Sequence, residues 1–178
     1  MNNNNIKTNI FIIQIIFKSK KYFFPWDSDI QGLIACNNGV LFETDYELLK
    51  TNNALENRIF DNHITIYDLD KLLEGEENLY SSPDYNWFIE IWNFFSDLYS
   101  VTDQTFIGDS SKTSVSELYD KLFYGCNLLV TNNEDKRYYP KWKTEDIALL
   151  KGVMLNGVEN FEKWVGNQKD GQHKGPVL

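Results

Sequence analysis

Before Asn86 the apolar residues come in short, β-branched runs, and after it they recur every three or four positions. Ile10–Phe17 is apolar on both faces apart from Gln14, the pattern of a short strand covered on both sides. A basic turn, Lys18–Lys21, and the aromatic run Tyr22-Phe23-Phe24-Pro25-Trp26 follow. Leu33–Cys36, Asn37-Asn38-Gly39 and Val40–Phe42 read as a hairpin, because Asn and Gly tolerate positive φ at a tight turn. Asp45–Lys50 is expected to be a short helix and His63–Tyr67, which alternates, a strand. Asp68 can cap a short helix through Glu74, with Gly75 ending it.

In the second half Trp87, Phe88, Ile91, Trp92, Phe95 and Leu98 form one wide stripe and predict a helix to about Tyr99. Ser114-Val115-Ser116-Glu117 has the form of a capping box, opening a helix to about Gly125. Thr144, followed by Glu145 and Asp146, starts a third helix expected to reach about Asn156. Gly157 is expected to break it, with Phe161, Trp164 and Val165 on another turn of helix. Strands first and helices later give an α+β fold: N-terminal antiparallel strands and a hairpin, packed by three or four C-terminal helices. The 178 residues suit a single domain, 1–178, with 1–8 and 167–178 as flexible ends.

Charge adds a polarity to this picture. The formal net charge is −9, and it belongs to the middle third. Residues 1–42 hold four Lys and two acids, residues 43–103 hold fourteen acids against Lys50, Arg58 and Lys71, and residues 104–178 balance. A field of that sign repels nucleic acid and steers basic partners, so no direct nucleic-acid binding is expected. The apolar run Asn9–Phe17 is too short to span a bilayer, and the charged residues between it and Leu33-Ile34-Ala35-Cys36 deny that tetrad a lipoprotein signal's hydrophobic lead-in. No membrane association is expected and the chain reads as cytoplasmic. Cys36 and Cys126 are then expected to be buried free thiols.

Catalytic and metal-binding patterns are scarce. His63 and His173 stand far apart, and no C-x-x-C, H-E-x-x-H, calcium-loop or phosphate-cradle pattern occurs, so no metal or cofactor is expected. No G-x-S-x-G elbow is present, and Cys126 follows a helix end, where the dipole disfavours a thiolate. Asp27 and Asp29 beside Trp26 are the one pair of carboxylates that could serve a hydrolytic enzyme of the glycosidase kind. An acidic adaptor or a DNA mimic is a further alternative, though a mimic should spread its carboxylates along an elongated face. The leading surface feature is Asp61–Asp84, where carboxylates steer and tyrosines anchor. Its expected partner-binding residues are Asp68, Asp70, Glu74, Glu76, Glu77, Tyr80, Asp84 and Tyr85.

Three segments carry a resemblance: Tyr22-Phe23-Phe24-Pro25-Trp26-Asp27-Ser28-Asp29, Tyr67-Asp68-Leu69-Asp70, and Tyr119-Asp120-Lys121-Leu122-Phe123-Tyr124-Gly125-Cys126-Asn127 before a helical C-terminus. In general style over Ile10–Val165 the chain resembles bacterial immunity proteins of polymorphic-toxin and contact-dependent growth-inhibition systems. The resemblance implies a small acidic cytoplasmic protein, not an enzyme, that neutralises a basic toxin domain, a nuclease above all, by stoichiometric occlusion. Opposite charge would speed capture, and buried aromatic or charged anchors would slow release.

Overall fold

The structure is a computed structural model describing residues 9–36, 39–75, 79–80, 83–128 and 137–170. Strands occupy the first part of the chain and helices the remainder, an α+β fold. By internal packing the chain forms two compact units, Met1–Gly75 with Asn93–Thr105, and Glu76–Trp92 with Phe106–Leu178.

The first unit is built on a four-stranded mixed sheet of order β3-β2-β1-β6. Its strands are β1 (Asn9–Phe17), β2 (Lys20–Asp27), β3 (Gly32–Leu33) and β6 (Ile59–Asp68). β1 and β2 form an antiparallel hairpin, and β6 returns parallel to β1 rather than antiparallel. The basic turn is only two residues long: Lys18 and Ser19 stand at φ 50° and 59°. Positive φ at both positions makes the turn that best suits strand twist, and it strains side chains other than Gly or Asn. Asp70 offsets that strain, its carboxylate accepting the Lys18 and Ser19 backbone N–H groups at 2.6 and 3.0 Å.

Tyr22–Trp26 has no alternation to mark a strand, yet it lies within β2. Pro25 is tolerated there because the Phe23 N–H, two residues earlier, points away from β1 and donates to the Glu43 carbonyl at 2.7 Å. The Pro25 nitrogen therefore faces outward too, and no ladder bond is lost. The expected hairpin forms between β4 (Ala35–Cys36) and β5 (Gly39–Val40), with Gly39 at φ 122° and Asn37 and Asn38 outside the described residues.

Alternation sends Ile10, Ile12 and Phe23 to one face, where Leu41, Leu49 and Leu55 complete a core. Leu49 comes from α1 (Tyr46–Lys50), capped by the Asp45 side chain through the Glu47 and Leu48 N–H groups. On the other face Phe24 meets Phe42 and Phe94, and Tyr67 meets Phe94. Asp68 accepts the Asp70 N–H at 3.1 Å ahead of α2 (Asp70–Glu74), and Gly75 closes that helix at φ 66°. The expected terminator is in use, but the expected cap is not: Leu69 is the cap residue of α2 and makes no side-chain cap bond, so Asp68 turns the chain one residue earlier.

Phe94 lies on α3 (Tyr85–Thr102), an 18-residue helix whose first turns belong to the second unit and whose later turns belong to the first. In the second unit, Trp92 of α3 meets Phe106 and Tyr119 edge-on. Val115, Leu118 and Leu122 of α4 (Thr113–Gly125) are buried. The expected capping box does not form: α4 begins one residue before Ser114, with Lys112 as its cap residue and no side-chain cap bond. Gly157 does not break the last helix either, since α5 (Thr144–Asp170) is continuous over 27 residues. Leu150, Val153, Met154, Val158, Phe161, Trp164 and Val165 are all buried, so packing along the stripe outweighs the ~1 kcal/mol that a helical glycine costs. Asn167–Asp170, expected in the tail, is therefore helical. The other expected end residues, 1–8 and 171–178, lie outside the described residues.

Candidate functional site

The acidic residues singled out in the sequence perform local structural work. In the first unit Asp68 accepts the Asp70 N–H just before α2, Asp70 clamps the β1–β2 turn, and Glu74 is exposed. In the second unit Asp84 caps α3 by accepting the Trp87 N–H at 3.2 Å. Tyr80 is not the surface anchor expected: it is 4 % exposed, packed on Phe88 with the Lys151 ammonium over its ring. Its Oη is the one buried side-chain polar atom without a hydrogen-bond partner among the described residues, and burial pushes its pKa up to about 12. Glu76 and Glu77 lie outside the described residues.

Asp27 and Asp29 occupy unlike settings. The Asp27 carboxylate is buried, accepts the Asp29 backbone N–H at 2.8 Å and pairs with Arg58 at 3.2 Å, while Asp29 is exposed. Trp26 beside them donates its indole N–H to Asp97 at 3.2 Å and rests edge-on against Phe11. Both cysteines are free thiols, but Cys36 is exposed rather than buried, on the short β4 strand. Burial, with the nearby Asp84 and Glu90 carboxylates, pushes the half-buried Cys126 thiol upward, and it donates to the Leu122 carbonyl. Among the described residues no group of three or more His, Cys, Asp or Glu converges as a metal site, and no helix is long and apolar enough to cross a membrane.

A surface that the sequence reading missed lies at the end of α4. Phe123 meets Tyr124 edge-on, Tyr124 meets Tyr138 edge-on at 6.2 Å between ring centres, and both tyrosines are exposed. Leu128 and Tyr139 beside them in the chain are 65 % and 72 % exposed. Isolated exposed rings are ordinary, whereas a connected group of them is not.

This group is held from both sides. Asn127, at φ 52°, leaves the helix in the left-handed region, where Asn is tolerated best after Gly. Its side-chain amide then imitates a strand partner, with Oδ1 accepting the Tyr138 N–H at 2.6 Å and Nδ2 donating to the Tyr138 carbonyl at 3.0 Å. Four residues on, Trp142 stacks on Tyr85 and donates its indole N–H to the Tyr85 hydroxyl at 3.3 Å. Tyr85, one of the residues expected to bind a partner, thus packs against Trp142. Only a glycine fits at position 125, where a Cβ would stand 2.9 Å from the Tyr85 ring. Arg137, Lys141 and Lys143 are exposed along the same segment. The available signal was Arg137-Tyr138-Tyr139-Pro140-Lys141-Trp142-Lys143, aromatics among cations with no helix or strand period.

Comparison with protein-family models, with curated proteins and with solved structures finds no match to this chain.

Proposed function

We propose that the chain works by stoichiometric binding of a protein partner, as an immunity protein that neutralises a toxin domain. The observation that carries this reading is the exposed Tyr124, Tyr138 and Tyr139 group, in which the Asn127 side chain fixes the Tyr138 backbone. Large rings with few rotatable bonds are strongly represented among residues that dominate binding energy, and a surface ordered beforehand loses little entropy on docking.

The carboxylates act at longer range. Asp68, Asp70 and Asp84 accept backbone N–H groups at turns and helix starts, and they belong to the acidic middle third whose formal charge makes the field negative. That field favours a basic partner, of which a nuclease groove is the clearest chemical example, and competes with phosphate for its Lys and Arg side chains. Such a protein acts in the cytoplasm, where the exposed Cys36 stays reduced.

The test is co-expression with toxin domains encoded beside this chain, followed by co-purification and a viability assay. A neutralised toxin that co-elutes one-to-one is expected. Failure of every neighbouring toxin to be neutralised or retained would overturn the reading.

A further inference from the structure

The sheet of the first unit has two unlike borders. The border along β2 is occupied: β3 pairs with Trp26 and Asp27, the Ile34 N–H reaches the Pro25 carbonyl, and Phe23 exchanges both backbone bonds with Glu43. Among the described residues β6 pairs with β1 alone, and Ile59, Asn62, His63 and Ile66 are exposed along it.

Natural proteins blunt such borders with lysine, proline, a bulge or a covering segment. The run Ile59–Asp68 contains neither Lys nor Pro. A register irregularity interrupts its first half, where Asp61 accepts the His63 N–H at 2.7 Å. Beyond that, Ile64–Asp68 follows Ile12–Ile16 without interruption, and three of its first four residues are Ile, Thr and Ile, which favour extended backbone.

Charge selects what could join it. Between Ile59 and Gly75 the sequence holds four carboxylates, Asp61, Asp68, Asp70 and Glu74, and one cation, Lys71. A second copy laid along this border would bring like charges together, which opposes pairing. A basic segment would meet opposite charge. We infer that β6 accepts an extended, Lys- or Arg-rich segment of a partner protein as an added strand. Main-chain hydrogen bonds then supply affinity, and the carboxylates choose the side chains. The inference rests on the reading that the chain binds a protein partner, and adds the chemistry of the segment it receives.

The test uses the full chain, isotope-labelled for amide NMR, and two blocked ten-residue peptides as probes, one alternating lysine with valine and the other glutamate with valine. At low salt the lysine peptide is expected to slow amide exchange within Ile59–Asp68 by about tenfold, an effect that fades as salt rises. The glutamate peptide should leave those amides unchanged. In a chain carrying Asp61→Asn and Glu74→Lys, which keeps an acceptor for the His63 N–H, the preference for the lysine peptide should disappear. Absence of protection with the lysine peptide, equal protection by both peptides, or protection that grows with protein concentration alone would overturn the inference. No toxin enters this experiment, so the two readings fail separately. Protection of β6 in a chain that neutralises no toxin removes only the immunity reading, and neutralisation without protection removes only the added strand.

Discussion

The Asp70 carboxylate accepts the backbone N–H of Lys18 at 2.6 Å, joining the start of a helix to a turn 52 residues earlier. Because Lys18 and Ser19 both adopt positive φ, this carboxylate stands in for the glycine that such a turn usually contains. Asp70→Ala is expected to destabilise the protein by about 1–2 kcal/mol, the scale of a charge-assisted hydrogen bond. Ser19→Gly, which relaxes the turn itself, should recover part of the loss in the same background. Urea unfolding of the single and double variants measures both, and an unchanged midpoint in Asp70→Ala would remove the clamp.

Asp27 depends on Arg58 in a different way, since it is 2 % exposed and cannot turn to water. Removing one member of a fully buried pair costs about 3–5 kcal/mol. Arg58 is itself 37 % exposed and Asp27 keeps the Asp29 N–H, so a loss of about 2 kcal/mol is expected for Arg58→Ala. Asp27→Asn should cost less than Arg58→Ala, because it leaves no unpaired charge inside. Denaturant midpoints in the reverse order would contradict this account.

Asp146 predicts the acid limb of stability. Partial burial raises its pKa, but the Lys121 hydrogen bond at 2.6 Å, the Lys143 N–H and both charges outweigh that and hold it below the usual 3.8. A folded pKa below the unfolded one contributes stability that is complete above the usual carboxyl value and is lost as pH falls through the depressed one. Wild-type stability should therefore drop more steeply between about pH 5 and about pH 2 than that of Lys121→Met. Parallel curves in that window would dispose of the prediction.

At the alkaline end Tyr80 works with the opposite sign. Burial raises its pKa from 10.0 to about 12, so the fold disfavours the phenolate and stability is unaffected by this group below pH 10 and falls as pH climbs toward 12. Tyr80→Phe removes both this dependence and a buried hydroxyl that has no partner among the described residues. The variant is expected to be as stable as wild type or more so, by up to about 1 kcal/mol at pH 7. A clear loss of stability at pH 7 would mean that the hydroxyl is bonded after all.

Glycines separate into two kinds. A Cβ at Gly108 would approach the Phe106 ring at 2.3 Å and the Trp92 indole nitrogen at 2.8 Å, and overpacking of that kind typically costs about 1–3 kcal/mol. Gly152 and Gly166, within α5, have nothing within 4 Å of the same atom. Alanine at either should raise stability by about 1 kcal/mol through helix propensity. Thermal melts of Gly108→Ala and Gly152→Ala moving in the same direction would contradict both assignments.

The elements legible in the sequence were those whose own pattern carries the information. The Trp87–Leu98 stripe, the β-branched β1, the Asp45 cap and the Gly75 terminator each announce their backbone locally. What escaped was decided by neighbours. Tyr22–Asp27 becomes a strand because β1 offers it a ladder and Glu43 takes its outer bonds. Helix α5 crosses Gly157 because buried residues continue on either side of it. The acidic patch was visible as charge, but which carboxylates cap a turn depends on backbone brought from elsewhere, as Asp70 does for Lys18. Tyr138 and Tyr139 gave no periodic signal, and Asn127, eleven residues before Tyr138, holds the Tyr138 backbone in place.

Helix α3 carries a lesson for anyone who would take the chain apart. Because Asn93–Thr105 completes the unit that begins at the N-terminus, neither unit corresponds to one uninterrupted stretch of coding sequence. A fragment stopping at Gly75 would lack Phe94 and leave the Phe24 and Tyr67 rings without their cover. One beginning at Glu76 would carry Phe94, Phe95, Leu98 and Tyr99, residues buried in the intact protein, with no sheet to receive them. Split expression at that junction should therefore yield two insoluble pieces.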